Sequence, residues 1–189
     1  CLFVIDVAQG VTAMDRSIAQ QVLKECKPCL VVANKFDLFH PSGSAKDRVA
    51  EAREMLAREL FFLHYAPMVA VSAKKGEQLN RIFGGVERIL KASDADLGTG
   101  VLNRFLRLCV ERNPAPVRKN RRLNLLYATL RKNDRPRLID APKLLLFVNH
   151  ADLLTRTYQR YLENEMRKEF DLTGLPLDFQ IRSRSSKEG

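Results

Sequence analysis

Apolar residues in the first ninety positions follow two alternating patterns. Three short runs, CLFVID (1–6), CLVVAN (29–34) and MVAVSA (68–73), are apolar with little alternation. Runs of this kind read as strands covered on both faces. Between them the period lengthens. Thr12 and Asp15 have the spacing of a capping start for a helix reaching about Lys24. Ser44 opens a second helix, with Val49, Ala52, Leu56 and Leu60 at helical spacing, and Leu79, Ile82, Phe83, Val86 and Leu90 stripe a third. Strands alternating with helices predict a parallel sheet with helices on both faces, an α/β arrangement over residues 1–94.

KASDADLGTG (91–100) is small, polar and glycine-bearing, and marks a boundary. Beyond it the order changes. Leu102, Phe105, Leu106 and Cys109 predict a helix, and strands are expected at about 123–130 and 144–149. Leu154, Tyr158, Tyr161, Leu162, Met166 and Phe170 line one face of a long helix that Gly174 and Pro176 are expected to end. Leu177, Phe179 and Ile181 alternate with polar residues in a last strand. Residues 95–189 thus read as a small α+β module in the order α-β-β-α-β.

Composition sharpens this division. The 189 residues are 46% hydrophobic and carry a formal charge of +10. Residues 1–94 hold 13 Lys/Arg against 11 Asp/Glu, and residues 95–189 hold 19 against 11. An excess of that sign makes RNA the expected partner of the second half. Arg118, Lys119, Arg121 and Arg122 cluster in one loop as candidate RNA contacts, and Arg131, Lys132, Arg135 and Arg137 cluster in the next. No apolar run reaches the roughly 18 residues a membrane span needs, so no membrane association is expected. Cys1, Cys26, Cys29 and Cys109 are too few for a disulfide framework, and a reducing cytosol is expected. Cys26 and Cys29 form a C-x-x-C with no second pair and no suitably spaced histidine, so neither metal nor redox chemistry is expected of them. The chain opens inside a strand with no charged segment before it. It reads as a fragment rather than as a signal peptide.

The chemistry-bearing stretch is Asn34-Lys35-Phe36-Asp37, at the carboxyl end of the second strand. Ligands of open parallel sheets bind at that edge. An ionised aspartate only accepts hydrogen bonds, so it suits a partner with two adjacent donors. Guanine presents two, N1–H and the exocyclic amine; adenine does not. Lys35 can lay its stem along a ring face, and Asn34 can pin the loop or touch the purine edge. Ser72-Ala73-Lys74 closes the next strand, where a small residue lets a backbone N–H approach the purine O6.

N-K-x-D followed by S-A-K on consecutive strands resembles the guanine-recognition half of a translation-factor-class GTPase. VIDVAQGVTAMD ahead of KPCLVVANKFDL is similar to the Era-type branch, and LLYATL with YQRYLENEMRKEFDLTGLPLDFQIRSR resembles the C-terminal KH-like domain of the Der (EngA) double-GTPase family. The resemblance spans essentially the whole chain. It implies the distal half of a second P-loop GTPase domain (1–94), then a KH-like domain (95–189). Asn34, Lys35 and Asp37 match the base-recognition motif; Ser72, Ala73 and Lys74 match the second base loop. Phe36 fills a variable position, often Trp, and Leu130 stands where the family often has Gln. The resemblance further implies GTP or GDP with Mg²⁺, GTP hydrolysis as a switch in large-subunit ribosome assembly, a cytoplasmic and ribosome-associated setting, and ribosomal RNA and upstream GTPase domains as partners.

Residues 1–94 contain neither a Gly-rich loop ending in Lys-Ser/Thr nor a D-x-x-G, the parts that hold and sense phosphates. Asp6 to Gly10 is one residue too long for the latter, and Asp6 reads as a strand-end residue. No catalytic residue is assigned, and the fragment alone is expected to be inactive and to hold no cofactor. An unpaired sheet edge is expected to favour self-association. The KH-like half lacks the G-x-x-G loop that clamps nucleic-acid backbones, because its glycines beyond residue 100 are only Gly174 and Gly189. What remains there is charge. The alternative reading is a basic RNA- or protein-binding adaptor without nucleotide function.

Overall fold

The computed structural model describes residues 1–94, 97–117, 120–131, 139 and 141–183. They group into two units. The first holds Cys1–Asp94 together with Ile139, Ala141 and Leu172–Pro176, and the second holds the remainder.

In the first unit, β1 (Leu2–Asp6), β2 (Leu30–Asn34) and β3 (Met68–Ala70) form a parallel sheet in that order. β2 runs between the other two and buries Leu30 to Ala33 completely, which explains its lack of alternation. The connecting helices are α1 (Ala13–Lys24) and α2 (Ala45–Glu59), and α3 (Asn80–Ser93) follows β3. α1 opens on a full capping box: the Asp15 N–H donates to Thr12 Oγ1 at 3.2 Å, and the Thr12 N–H donates to Asp15 Oδ2 at 2.8 Å. One face of the sheet packs Phe3, Ile5, Val31 and Ala33 against Ala52 and Leu56. The other packs Leu30, Val32 and Val71 against Ile89 and Ala92. On the outer strand β1, Leu2 and Val4 remain half exposed.

Two elements depart from the sequence reading. The third strand is shorter than read: its ladder partners end at Ala70, Val71 still bonds to Ala33 and Phe36, and the chain turns back at Ser72, which exchanges backbone hydrogen bonds with Glu77 at 3.1 and 3.0 Å. Helix α3 is rotated from its expected stripe. Ile89 is buried, Ile82 and Val86 pack beside it, and Phe83 is 76% exposed. The cause is Gly85: a Cβ there would lie 2.8 Å from Leu30 Cδ2. The bare backbone brings α3 down onto β2 and turns the 82–86–89 line inward.

The second unit runs α4 (Thr99–Arg112), β4 (Leu125–Arg131), β5 (Lys143–Val148), α5 (Arg156–Glu169) and β6 (Asp178–Ser183). This is the α-β-β-α-β order read from the sequence. β5 is central, antiparallel to β4 and parallel to β6. Leu102 and Leu106 of α4, Leu144, Leu146 and Val148 of β5, and Leu162 and Met166 of α5 are all buried. Asn103 of α4 grips β4 with both ends of its amide: Nδ2 donates to the Ala128 carbonyl at 2.7 Å, and Oδ1 accepts from the Ala128 N–H at 2.8 Å.

Gly174 does not end α5, which stops at Glu169 with Phe170 as its cap. Its role lies in the first unit. The Gly174 N–H donates to the Tyr65 carbonyl at 2.8 Å, and its own carbonyl accepts from the Cys29 N–H at 2.9 Å. Leu175 beside it joins the Leu30–Val32–Ile89 core, fully buried.

Candidate functional site

The register of the sheet brings the candidate residues together. Asp6 pairs with Asn34 across β1 and β2, and Ala33 pairs with Ala70 across β2 and β3, so the strands end nearly level. From there β2 passes through Lys35, whose φ of +57° lies in the left-handed region, into a 3-10 turn at Phe36–Leu38. The turn is stitched to its neighbour by the Phe36 N–H, which donates to the Val71 carbonyl at 3.1 Å.

Each predicted residue has a definite place. Asn34 Oδ1 accepts from the Ala73 N–H at 3.1 Å, so the amide pins one loop to the other. The Ala73 N–H is thereby engaged within the protein. The Lys35 ammonium lies 2.7 Å from Asp6 Oδ2, and this pairing holds the Asp6 carboxyl below the ordinary carboxylate range. Asp6, read from the sequence only as a strand-end residue, is therefore the counter-ion of the motif lysine.

Asp37 keeps only 9% of its side chain exposed. A hydrogen bond from the Ser72 hydroxyl is the main cause holding its carboxyl below the usual value, and the ammonium of Lys75, 3.6 Å from Oδ2, adds to it. Ser72 is itself buried and accepts from the Lys75 N–H at 3.3 Å. Lys74 is exposed on the same turn. The geometry thus unites Asn34, Lys35, Asp37, Ser72 and Ala73, and adds Asp6 and Lys75, which the motif alone did not indicate. Chemically it offers a charged carboxylate, fixed at a strand end, with acceptor capacity beyond the one hydroxyl that meets it.

The basic loops are placed less completely. Arg118, Lys119, Lys132, Arg135 and Arg137 lie outside the described residues. Arg121 is ion-paired, its Nη2 donating to Asp152 Oδ2 at 2.9 Å, and Nη1 lies 3.5 Å from His150 Nδ1. Arg122 is exposed, its carbonyl accepting from Asn149 Nδ2 at 2.8 Å. Among the described residues no group of three His, Cys, Asp or Glu could hold a metal ion, and no helix is long and apolar enough to cross a membrane.

Comparison with known proteins agrees with both units. Residues 1–113 match the model of the elongation factor Tu GTP-binding domain, and residues 97–182 match that of the KH-domain-like, C-terminal region of EngA bacterial GTPase enzymes. The GTPase Der of Akkermansia muciniphila is 46% identical over 97% of this chain. The chain belongs to the Der (EngA) family. The GTPase Der of Desulforudis audaxviator is 37% identical over 98% of the chain, and that of Pelotomaculum thermopropionicum 34% over 98%. The chain spans 40% of the length of each of these relatives. Its fold is that of a P-loop GTPase-type α/β sheet with a KH-like module. The strand-end constellation, rather than the C-x-x-C or the basic loops, holds the residues of the N-K-x-D and S-A-K matches.

Proposed function

We propose that Asn34, Lys35, Asp37, Ser72, Ala73 and Lys74 form the guanine-recognition site of a Der-type GTPase that acts as a switch in assembly of the large ribosomal subunit. The observation that carries the reading is Asp37: a nearly buried carboxylate, kept ionised by Ser72 and Lys75, whose remaining lone pairs match the N1–H and exocyclic amine of guanine. Lys35 and Asn34 hold the loops that frame it. The donor set fits the base end of GTP. Mg²⁺, when bound, supplies charge neutralisation at the phosphates, and none of the six residues is assigned to it. The P-loop and switch regions that hydrolysis requires would come from sequence other than these 189 residues.

The test is a change of base preference in the longest gene product that contains this segment. Asp37→Asn replaces one acceptor by a donor, so it should favour xanthine over guanine nucleotides. Hydrogen bonds to a charged partner contribute about 1.5–3 kcal/mol each, and GTP affinity should fall by at least tenfold while XTP affinity rises. An unchanged preference for GTP would remove Asp37 from the site. In the KH-like half, the excess of basic residues supports a role facing ribosomal RNA in the cytoplasm.

A further inference from the structure

Asp37 is the middle residue of a turn only three residues long, and such a turn has little hold on itself. Its internal bonds are the Leu38 N–H to the Lys35 carbonyl, 2.9 Å, and the Phe39 N–H to the Phe36 carbonyl, 3.2 Å. Its front end is tied to the sheet through Phe36 and Val71. The back end is held by one side chain from another element. Arg48, in the first turn of α2, donates Nε to the Phe39 carbonyl at 2.7 Å and Nη2 to the Phe36 carbonyl. Its guanidinium also lies over the Phe36 ring, 4.6 Å from the centroid.

Nothing about α2 calls for a cation there. The first turn of a helix carries the positive end of its dipole and favours anions, and among the described residues Arg48 has no carboxylate partner. Only a planar fork can meet two carbonyls and an aromatic face together. The surroundings fit the fork: a Cβ at Gly43 would lie 3.1 Å from Arg48 Cγ, so glycine leaves the stem its path. Phe36 and Phe39, the residues whose carbonyls it grips, are both buried.

We infer that Arg48 is a positioning residue for base recognition. By fixing the 36–39 backbone it sets the Asp37 carboxylate where both oxygens can meet the two adjacent donors of guanine. It thereby governs discrimination between purines with and without a 2-amino group. The inference rests on the guanine reading of Asp37.

The experiment compares GTP with ITP, which differs only in lacking the exocyclic amine, by titration of the same longest gene product as wild type, Arg48→Gln and Arg48→Lys. Gln and Lys have helix propensities close to that of Arg, so α2 is spared. Wild type should prefer GTP by about 10–100-fold, the worth of one hydrogen bond to a charged group. Arg48→Gln should reduce that ratio by about tenfold, because GTP loses two hydrogen bonds to a displaced Asp37 where ITP, which keeps N1–H, loses one, and misplacing a positioned group is costly. Arg48→Lys, with one bond and no fork, should fall between. An unchanged ratio, or an equal loss for both nucleotides, would show that Arg48 serves only the fold and overturn the inference. A wild type that does not distinguish GTP from ITP would overturn the guanine reading as well. Should Arg48→Gln not fold, Arg48→Lys is read by hydrogen exchange in the 189-residue chain. There the Leu38 and Phe39 amides should exchange about tenfold faster while the β2 amides do not change. Equal rates at Leu38 and Phe39 would equally overturn the inference.

Discussion

Lys35 holds a left-handed backbone, which costs a residue with a side chain roughly 1–2 kcal/mol, and its ammonium closes on Asp6 at 2.7 Å. The pair ties the turn after β2 to the end of β1. Because Lys35 holds the Asp6 pKa below its unfolded value near 3.8, the pair stabilises fully above that value and loses its effect as pH falls through the lower folded one. Asp6→Asn should therefore lower stability by up to about 1 kcal/mol at pH 7, with the difference shrinking as pH falls below 3.8; urea unfolding across that range measures this. The motif residues were legible as a group because Asn, Lys, Asp and Ser at consecutive strand ends stand out from the apolar runs before them. Arg48 and Asn103 were not, because their partners are backbone carbonyls and amides, which every residue carries and no sequence pattern distinguishes.

Among the elements, those whose burial follows a simple period were legible to within a few residues: β2, α1 with its capping box, and the whole α-β-β-α-β order of the second unit. α3 was not, because Leu, Ile, Val and Phe occur on more than one of its faces and the choice between them was made by Gly85, a residue with no side chain. The tyrosines of α5 were expected as core, and they do more than fill space. The Tyr158 hydroxyl donates to the Asn113 carbonyl at 2.7 Å, just past the end of α4, and that of Tyr161 adds a second bond at 3.0 Å to the Cys109 carbonyl, which already accepts from the Asn113 N–H. Burial pushes the Tyr158 phenol up to about 12, with Tyr161 nearby adding to it. A raised phenol pKa gives stability that is complete below the unfolded value near 10 and declines as pH rises toward 12. Tyr158→Phe should cost about 1 kcal/mol at pH 7 and abolish that part of the alkaline decline, which thermal unfolding at pH 7 and pH 11 would register.

For the molecule as a whole, the charge asymmetry between the halves makes its own prediction. On the proposed RNA-facing role, the 189-residue chain should bind ribosomal RNA with an affinity that falls steeply with salt, since each neutralised phosphate adds to the slope. Filter binding across a salt series tests it, and salt-independent binding would contradict an electrostatic surface. Arg122→Ala should lower the slope more than Arg121→Ala, because Arg121 is already spent on Asp152. The long stretch of the first unit ends at Asp94, within the small, polar run 91–100. The return of Leu172–Pro176 to the first unit was not legible in the sequence, since two buried leucines and two backbone hydrogen bonds leave no periodic trace.

That return also concentrates risk in one position. Gly174 has φ +71°, and a Cβ there would overlap the Ile89 side chain and come within 3.2 Å of the Cys29 carbonyl. Gly174→Ala should destabilise the first unit by about 2 kcal/mol or more through strain and overpacking, read as faster alkylation of the buried Cys29 thiol. In evolutionary terms, a segment encoded some 135 residues downstream of the N-K-x-D motif belongs to the fold that carries that motif. Exchange of the 3′ part of the gene between distant members of the family would carry the wrong plug into the sheet, so the two halves are expected to be inherited as a pair rather than shuffled as modules.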